Sequence, residues 1–496
     1  MEATSEPVQR REIAMSESRF LVLVLDGLRP DLVTSRDMPN LAAFRDRGAS
    51  LTLSKAQFPT HTRVNKTSFS SGSTPKHHGV HFNKIYDPNL APDQVIDLGD
   101  HADVEKADSQ GRLITATTIG HALRDAGHQF ALVHCGMSGA PWLLNYRGDR
   151  IGQEHVSMAG YGHSTAEAAR LVFEELGDLP DPKGVNYNRS RFAFEAFKSV
   201  LYPSLKPQVG LIWSDEPDKS LHVDGLRGPV SKAAFMHIDA LVGDVVSWWQ
   251  ARADRDSLNL IILSDHGHVE TIGGYPIGEM MRDAGLPVTI DPTQKGALLL
   301  PFGSGGVYLR DQPRQVLADI VEWMQGHDWS GNLFTDDLDG VNGVISGTFS
   351  KALASIDHPR APDLVFTLRR LPAQPPEFPF GRSLDPSGKG STHGGLHNEE
   401  LTNICFAAGP DFKEGYRSET AGGIVDITPT ILDVLGVTKP DTMVGRALGD
   451  LLINGAEPAD ARAGVEAVSV DAGSYRQTLS LRRLTGRNMA MSATRD

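Results

Sequence analysis

A series of apolar runs, several with no polar break, constrains what this chain can fold into more than any other feature. FLVLVL at 20–25 stops at Asp26-Gly27, and VGLIW at 209–213 and LNLIIL at 258–263 stop the same way, at SDEPD and SDHGH. A strand that is apolar at every position has both faces covered, which is the condition of a parallel strand inside an α/β sheet. Further strands are expected at 130–135, 363–368 and 403–408, with helical patterns between them at 115–126, 231–251, 313–325 and 427–435. This alternation predicts a doubly wound α/β sheet with helices on both faces. In such a sheet, ligands gather beyond the carboxyl ends of the strands.

The segments 84–111, 141–207, 269–296 and 370–391 are long and rich in Gly, Pro, Asp and Ser. Structureless loops of that length are uncommon in a compact domain, so they are expected to be cap insertions near the strand ends. Residues 1–18 are expected to be a disordered extension and 19–452 a single domain. The tail 453–496, with weak periodicity, is expected to be an appendage or disordered.

The chain of 496 residues carries a net charge of -14, which removes any sequence-wide electrostatic case for binding a nucleic-acid polymer. Anionic substrates would need local cations, such as metals, to offset that field. Two cysteines, Cys135 and Cys405, are too few for a disulfide framework and are expected to be free buried thiols in a reducing compartment. The N-terminal stretch is polar, and FLVLVLDG is too short to span a bilayer, so a cytoplasmic protein without a membrane segment is expected.

Acidic and imidazole side chains collect where strands end. Asp26 follows the first strand directly. Asp218 and His222, four apart in SDEPDKSLH, share one face if a helical turn starts after Pro217, and together can chelate a divalent metal. Read alone, that pair is more often a capping Asp with a surface His. Asp265 and His266 stand at the end of a buried strand, where charged groups must be paired or coordinated. His393 lies in the glycine-rich loop GKGSTHGG.

In FPTHTRVNKTSFSSGSTPKHHGVHFNKIYDP, at 58–88, TRVNKTSFSS suits a short helix stopped by Gly72. Thr62 would then sit where free backbone N–H groups and the positive dipole end favour an anion, and Asn83 would return to the same phosphate. By itself Thr62 also reads as an N-cap. Counted together, Asp26, Thr62, Asp218, His222, Asp265, His266 and His393 offer oxygen and imidazole ligands without thiolate. That set suits two divalent ions, zinc foremost, with manganese or iron as alternatives. A hydroxyl nucleophile beside paired metals about 4 Å apart points to phosphoryl or sulfuryl transfer.

The order D, T, DxxxH, DH, HG resembles the alkaline phosphatase superfamily. Within it, residues 62–88 resemble the nucleotide pyrophosphatase/phosphodiesterase family, whose TFPNH, HG and N-x-x-YDP correspond to TRVNK at 62–66, His78-Gly79 and NKIYDP at 83–88. SDEPDKSLH is similar to the family's EEPDxxGH. The resemblance covers about 20–452 and implies an alkaline-phosphatase-like catalytic domain. It also implies that Asp26, Thr62, Asp265 and His266 hold one metal and Asp218, His222 and His393 the other. Thr62 would attack phosphorus to give a phospho-threonine that water hydrolyses, with Asn83 and the Thr62 N–H stabilising the phosphoryl oxygen. The implied substrate is a small-molecule phosphate diester or phosphoanhydride. A monoesterase, phosphonate hydrolase or sulfatase on the same scaffold is the alternative, and a non-catalytic binding relative a further one. Oligomeric state stays open.

Two positions bear on the substrate. Arg63 replaces the family's aromatic residue after the nucleophile and would pair with a second anionic group or stack on a ring. Trp213 matches the other stacking position, yet reads as well as a core residue at a strand end. His268 and His397 flank ligand motifs as outer-shell donors, general acids or loop histidines. Asp215 and Glu216 read as outer-shell partners or a solvated edge.

Overall fold

The structure, a computed structural model, describes residues 17–181, 187–371, 382–383, 390–460 and 462–495. The expected disordered extension and much of the 370–391 insertion lie outside the described residues. An eight-stranded sheet forms the centre. In chain order its strands are β1 (Arg19–Leu25), β2 (Ala49–Lys55), β3 (Phe130–His134), β4 (Glu154–Ser157), β5 (Val209–Ser214), β6 (Leu258–Leu263), β7 (Cys405–Ala408) and β8 (Arg417–Gly423). Across the sheet they run β8-β2-β7-β6-β1-β5-β3-β4. All neighbours are parallel except β7, which is antiparallel to both β6 and β2.

The apolar runs follow from burial on both faces. Leu21, Leu23 and Leu25 of β1 pack beneath the helix Pro229–Gln250, through Ile238, Leu241, Val242 and Val245. Phe20, Val22 and Val24 face the other way, against Phe69 of the helix Thr62–Ser71 and Ile427 and Ile431 of Ile427–Val434. The register sets Leu25 beside Ser214 and Val24 beside Leu263, so β1, β5 and β6 end together and Asp26, Asp218 and Asp265 leave the sheet at one edge.

The architecture is the expected α/β sheet with helices on both faces, with three differences. The strand expected at 363–368 forms, as Leu364–Leu368, in a separate six-stranded sheet, and Arg314–Gln325 packs on that second sheet through Leu317, Ile320 and Val321. The 141–207 segment is not simply a cap. It supplies the edge strand β4, and Val172, Phe194 and Phe197 from its helices enter the core under the main sheet. The tail is ordered: Glu466–Ala472, Tyr475–Leu484 and Arg487–Arg495 make a three-stranded antiparallel sheet. Its inner face, with Val468, Leu479, Leu481 and Ala493, packs against Phe58, Phe334 and Phe349. Cys135 and Cys405 are buried and unpaired. Among the described residues no helix is long and apolar enough to cross a membrane.

Lys55, ending β2, is buried where the tail sheet meets the body, and its Nζ donates to Asn398 Oδ1 at 2.7 Å, Thr402 Oγ1 at 2.8 Å and Met491 O at 3.4 Å. Burial pushes its ammonium down to about 8 from an ordinary 10.5. Between those values the folded state holds fewer protons than the unfolded one, so this residue's contribution to stability rises with pH. Wild type is expected to gain ~2 kcal/mol relative to Lys55→Met between about pH 7.5 and 9.5, read from urea midpoints. Parallel slopes for the two proteins would contradict the assignment.

Candidate active site

Thr62 opens the ten-residue helix Thr62–Ser71, which Gly72 ends in the left-handed conformation at φ 55°. The N-cap is His61 and no side chain caps the helix, so Thr62 is the first helical residue and its hydroxyl is not used as a cap. Its Oγ1 lies 3.1 Å from His266 Nε2. The Arg63 N–H donates to Asn83 Oδ1 at 3.1 Å, which brings the Asn83 amide beside the helix N-terminus. Backbone N–H groups and the dipole favour an anion there.

Asp26, Asp265 and His266 converge beside this hydroxyl. Asp265 Oδ1 accepts from the N–H groups of Gly27 at 3.1 Å and His266 at 3.0 Å. Asp26 Oδ2 accepts from Trp213 Nε1 at 3.0 Å and Lys66 Nζ at 3.2 Å. The remaining oxygens, Asp26 Oδ1 and Asp265 Oδ2, are buried without a hydrogen-bond partner and lie 3.4 and 3.3 Å from His266 Nε2. Bare buried carboxylate oxygens that face each other are costly unless a cation lies between them. Burial and the Asp26 charge accordingly push the Asp265 carboxyl well above its ordinary range. Carboxylates, imidazole and a hydroxyl without thiolate fit a divalent cation.

A second cluster surrounds Asp218, at the start of the helix Asp218–Asp224. Its Oδ1 lies 3.4 Å from His222 Nε2, 3.3 Å from His393 Nε2 and 2.8 Å from His268 Nε2. The rings of His266 and His393 stack at 3.8 Å, which joins the clusters into one site. The structure thus brings together all seven candidate ligands, Asp26, Thr62, Asp218, His222, Asp265, His266 and His393.

Trp213 requires a correction. It is fully buried in the core, edge-on to Phe69 at 6.1 Å, and offers no face to a base or aryl group. Along β5 it lies with Val209 and Leu211 on the face that packs against Phe69, while Ile212 enters the core on the opposite face. Its indole N–H instead holds Asp26, the outer-shell pattern that orients metal ligands. Trp213→Phe is expected to weaken metal binding by ~10-fold or more, as loss of such a partner does, without selectively raising KM for nucleotide esters. Chelator competition and substrate kinetics on the same variant separate those roles.

Sequence reasoning missed Lys66. It is four residues after Thr62 on the same helix face, is 3% exposed, and its Nζ sits 4.6 Å over the Trp213 ring. The i, i+4 spacing was the available signal. His268, open in the sequence between an outer donor, a general acid and a loop histidine, is fully buried inside the Asp218 cluster. His397 caps the helix Asn398–Leu401 and pairs with Glu400 at 2.6 Å, a structural task. Arg63, half-buried beside Thr62, has its Nη2 2.7 Å from Met137 Sδ and no carboxylate within ion-pair distance among the described residues.

Among curated proteins the chain is 23% identical over 257 residues to an uncharacterised pyrophosphatase/phosphodiesterase of Schizosaccharomyces pombe, covering 51% of this chain and 46% of that protein. It is 26% identical over 259 residues to venom phosphodiesterase 2 of Crotalus adamanteus, covering 51% of this chain and 27% of the venom protein. The match therefore spans under half the length of these relatives. Among solved structures, murine ectonucleotide pyrophosphatase/phosphodiesterase 5 superposes with a TM-score of 0.58 at 15% identity, over 88% of this chain and 100% of that one. An inactive form of the murine protein in complex with AMP gives 0.57 at 16%, with the same coverage. At such identities the likeness shows the shared fold. Residues 20–370 match the type I phosphodiesterase / nucleotide pyrophosphatase family, a stretch that takes in every candidate ligand except His393. The chain belongs to that family, within the alkaline phosphatase superfamily.

Proposed function

We propose that this chain is a two-metal hydrolase of small-molecule phosphate diesters or phosphoanhydrides that works through a phospho-threonine on Thr62. One juxtaposition carries the reading: Thr62 Oγ1, at a helix N-terminus, lies 3.1 Å from His266, beside the unpartnered oxygens of Asp26 and Asp265. Asp26, Thr62, Asp265 and His266 would hold one divalent ion and Asp218, His222 and His393 the other, zinc first among the candidates and manganese or iron next. When bound, such ions supply charge stabilisation to the attacking and leaving oxygens of an in-line displacement.

The chain's own residues do the rest. The helix N-terminus and Asn83 receive the phosphoryl oxygens, and N–H donors aimed at developing charge are worth a few kcal/mol in such reactions. Trp213 and Lys66 fix Asp26, while Thr60 ties the nucleophile loop to the His393 loop by accepting the His393 Nδ1–H on its carbonyl at 2.8 Å and the Gly394 N–H on its hydroxyl at 2.8 Å. Thr62 oxygen attacks phosphorus as the ester oxygen leaves, and water then cleaves the phospho-threonine to restore the hydroxyl.

Arg63 supports a substrate with a second anionic group next to the scissile phosphate. Phosphoanhydrides, which carry a second phosphoryl group beside the scissile one, meet that requirement. The burial of Trp213 favours the second reading to a degree, a monoester, phosphonate or sulfate, because it leaves that position without a base-stacking platform. Buried free Cys135 and Cys405 suit a reducing, cytoplasmic setting. No polymeric nucleic acid is proposed as substrate, given the net charge of -14.

Rates on bis-p-nitrophenyl phosphate, p-nitrophenyl phosphate, thymidine 5′-p-nitrophenyl phosphate and p-nitrophenyl sulfate, with zinc and with manganese, test the reading. Preference for a diester supports it. Preference for the monoester or sulfate keeps the site and moves the substrate class to the second reading. No turnover of any of them by the metal-loaded protein would point to a substrate outside this set or to a binding role.

A further inference from the structure

The cluster around Asp218 contains one imidazole more than the ligand set proposed above. His268 Nε2 is 2.8 Å from Asp218 Oδ1, nearer than His393 Nε2 at 3.3 Å or His222 Nε2 at 3.4 Å. The other nitrogen of each ring is anchored. His222 Nδ1–H donates to Ser391 O at 2.8 Å, and His393 Nδ1–H donates to Thr60 O at 2.8 Å. His268 Nδ1 lies 3.1 Å from Ser391 Oγ, whose own proton goes to Leu221 O at 2.6 Å. That hydroxyl can therefore only accept from His268, and the proton of the neutral ring sits on Nδ1.

The Nε2 lone pair of His268 is consequently aimed at a carboxylate oxygen, as are those of His222 and His393. Lone pair against carboxylate at 2.8 Å is repulsive unless a cation takes both. Anchored Nδ1–H groups are what metal-ligating histidines show. Gly27 permits the approach: its φ is +75°, and a Cβ there would stand 2.7 Å from His268 Nε2 and 3.0 Å from Asp218 Cβ.

We propose that His268 is a metal ligand, so that the Asp218 ion is held by one carboxylate and the imidazoles of His222, His268 and His393. This rests on the two-metal reading above and deepens it. With those protein ligands already filling a tetrahedral set, a substrate oxygen has to enter as an additional ligand, which favours an ion that expands its coordination readily over one confined to four ligands.

Cobalt(II) loaded into the full chain tests this without reference to turnover. Proton spectra of the loaded protein are expected to contain a paramagnetically shifted, exchangeable imidazole N–H signal for each of His222, His266, His268 and His393. His268→Asn is expected to lose one of them and to bind the Asp218-site ion at least ~10- to 100-fold more weakly in competition with a chromophoric chelator, the range seen when even an outer-shell partner is removed. The Asp26/Asp265 ion in the same sample serves as the folding control, and the wild-type spectrum stands whether or not the variant folds. Signals accounted for by His222, His266 and His393 alone, or unchanged affinity in a variant that still holds the Asp26/Asp265 ion, would overturn the proposal and leave the two-metal reading in place. Failure of wild type to take up cobalt at all would remove both.

Discussion

Thr62→Ala is expected to lower turnover of a phosphodiester by roughly 10⁴- to 10⁶-fold, the scale on which nucleophile deletions act, while the protein still takes up metal. The reason is geometric. The substitution deletes the Oγ1 that lies 3.1 Å from His266 Nε2, but leaves the candidate ligands Asp26, Asp265 and His266 in place. It leaves Asn83 as well, held by the backbone N–H of Arg63 and not by the threonine side chain. Thr62→Ser keeps the oxygen and is expected to retain activity. Initial rates and elemental analysis on the same preparations check both statements. Turnover preserved in the alanine variant would end the phospho-threonine reading, and loss of metal along with activity would recast Thr62 as chiefly a ligand.

Removal of metal is expected to destabilise wild type and to affect Asp265→Asn far less. A ligand at 100 times its dissociation constant contributes ~2.7 kcal/mol per site to the folded state. Without it, Asp26 Oδ1 and Asp265 Oδ2 remain buried and unpartnered. Folding raises the Asp265 carboxyl above its unfolded value, so the penalty is absent below that unfolded value and grows as pH rises towards and through the folded one. At neutral pH, above the unfolded value, the metal-free protein bears that penalty. An asparagine there keeps the acceptor for the Gly27 and His266 N–H groups and presents an N–H to Asp26 in place of a second negative oxygen. Calorimetry with and without chelator should show a lower unfolding temperature for metal-free wild type, and a metal-free Asp265→Asn protein that unfolds above metal-free wild type. An unfolding temperature of wild type indifferent to chelator would contradict the site.

The central strands were legible because β1, β5 and β6 are covered on both faces, and a strand so placed has little freedom in composition. The helix Thr62–Ser71 was legible because Gly72 marks its end. What the sequence concealed depended on partners far along the chain. Lys66 looks like a surface residue until Asp26 and Trp213 close over it. His268 looks like a neighbour of a motif until Ser391 turns its ring towards Asp218. The tail carries alternation in YRQTLSL, with Tyr475, Gln477, Leu479 and Leu481 buried and Arg476 exposed, but what that face covers, Phe334 and Phe349, lies more than a hundred residues earlier in the second sheet. The sequence left Trp213 open between a stacking residue and a core residue, and the choice falls to the core through its contact with Phe69, far earlier in the chain.

The tail sheet does more than cover a hydrophobic surface. Ala493 N–H donates to Leu396 O at 3.0 Å, and Met491 O receives the Lys55 ammonium at 3.4 Å, so the last strand closes over the loop that carries His393. During synthesis, Asp26, Thr62, Asp218 and the Asp265-His266 pair leave the ribosome first, while the segment that secures the final imidazole emerges well after it. Any pocket those side chains form before that point lacks the His393 imidazole. The loop that carries His393 is thus held in place from a segment far downstream of it.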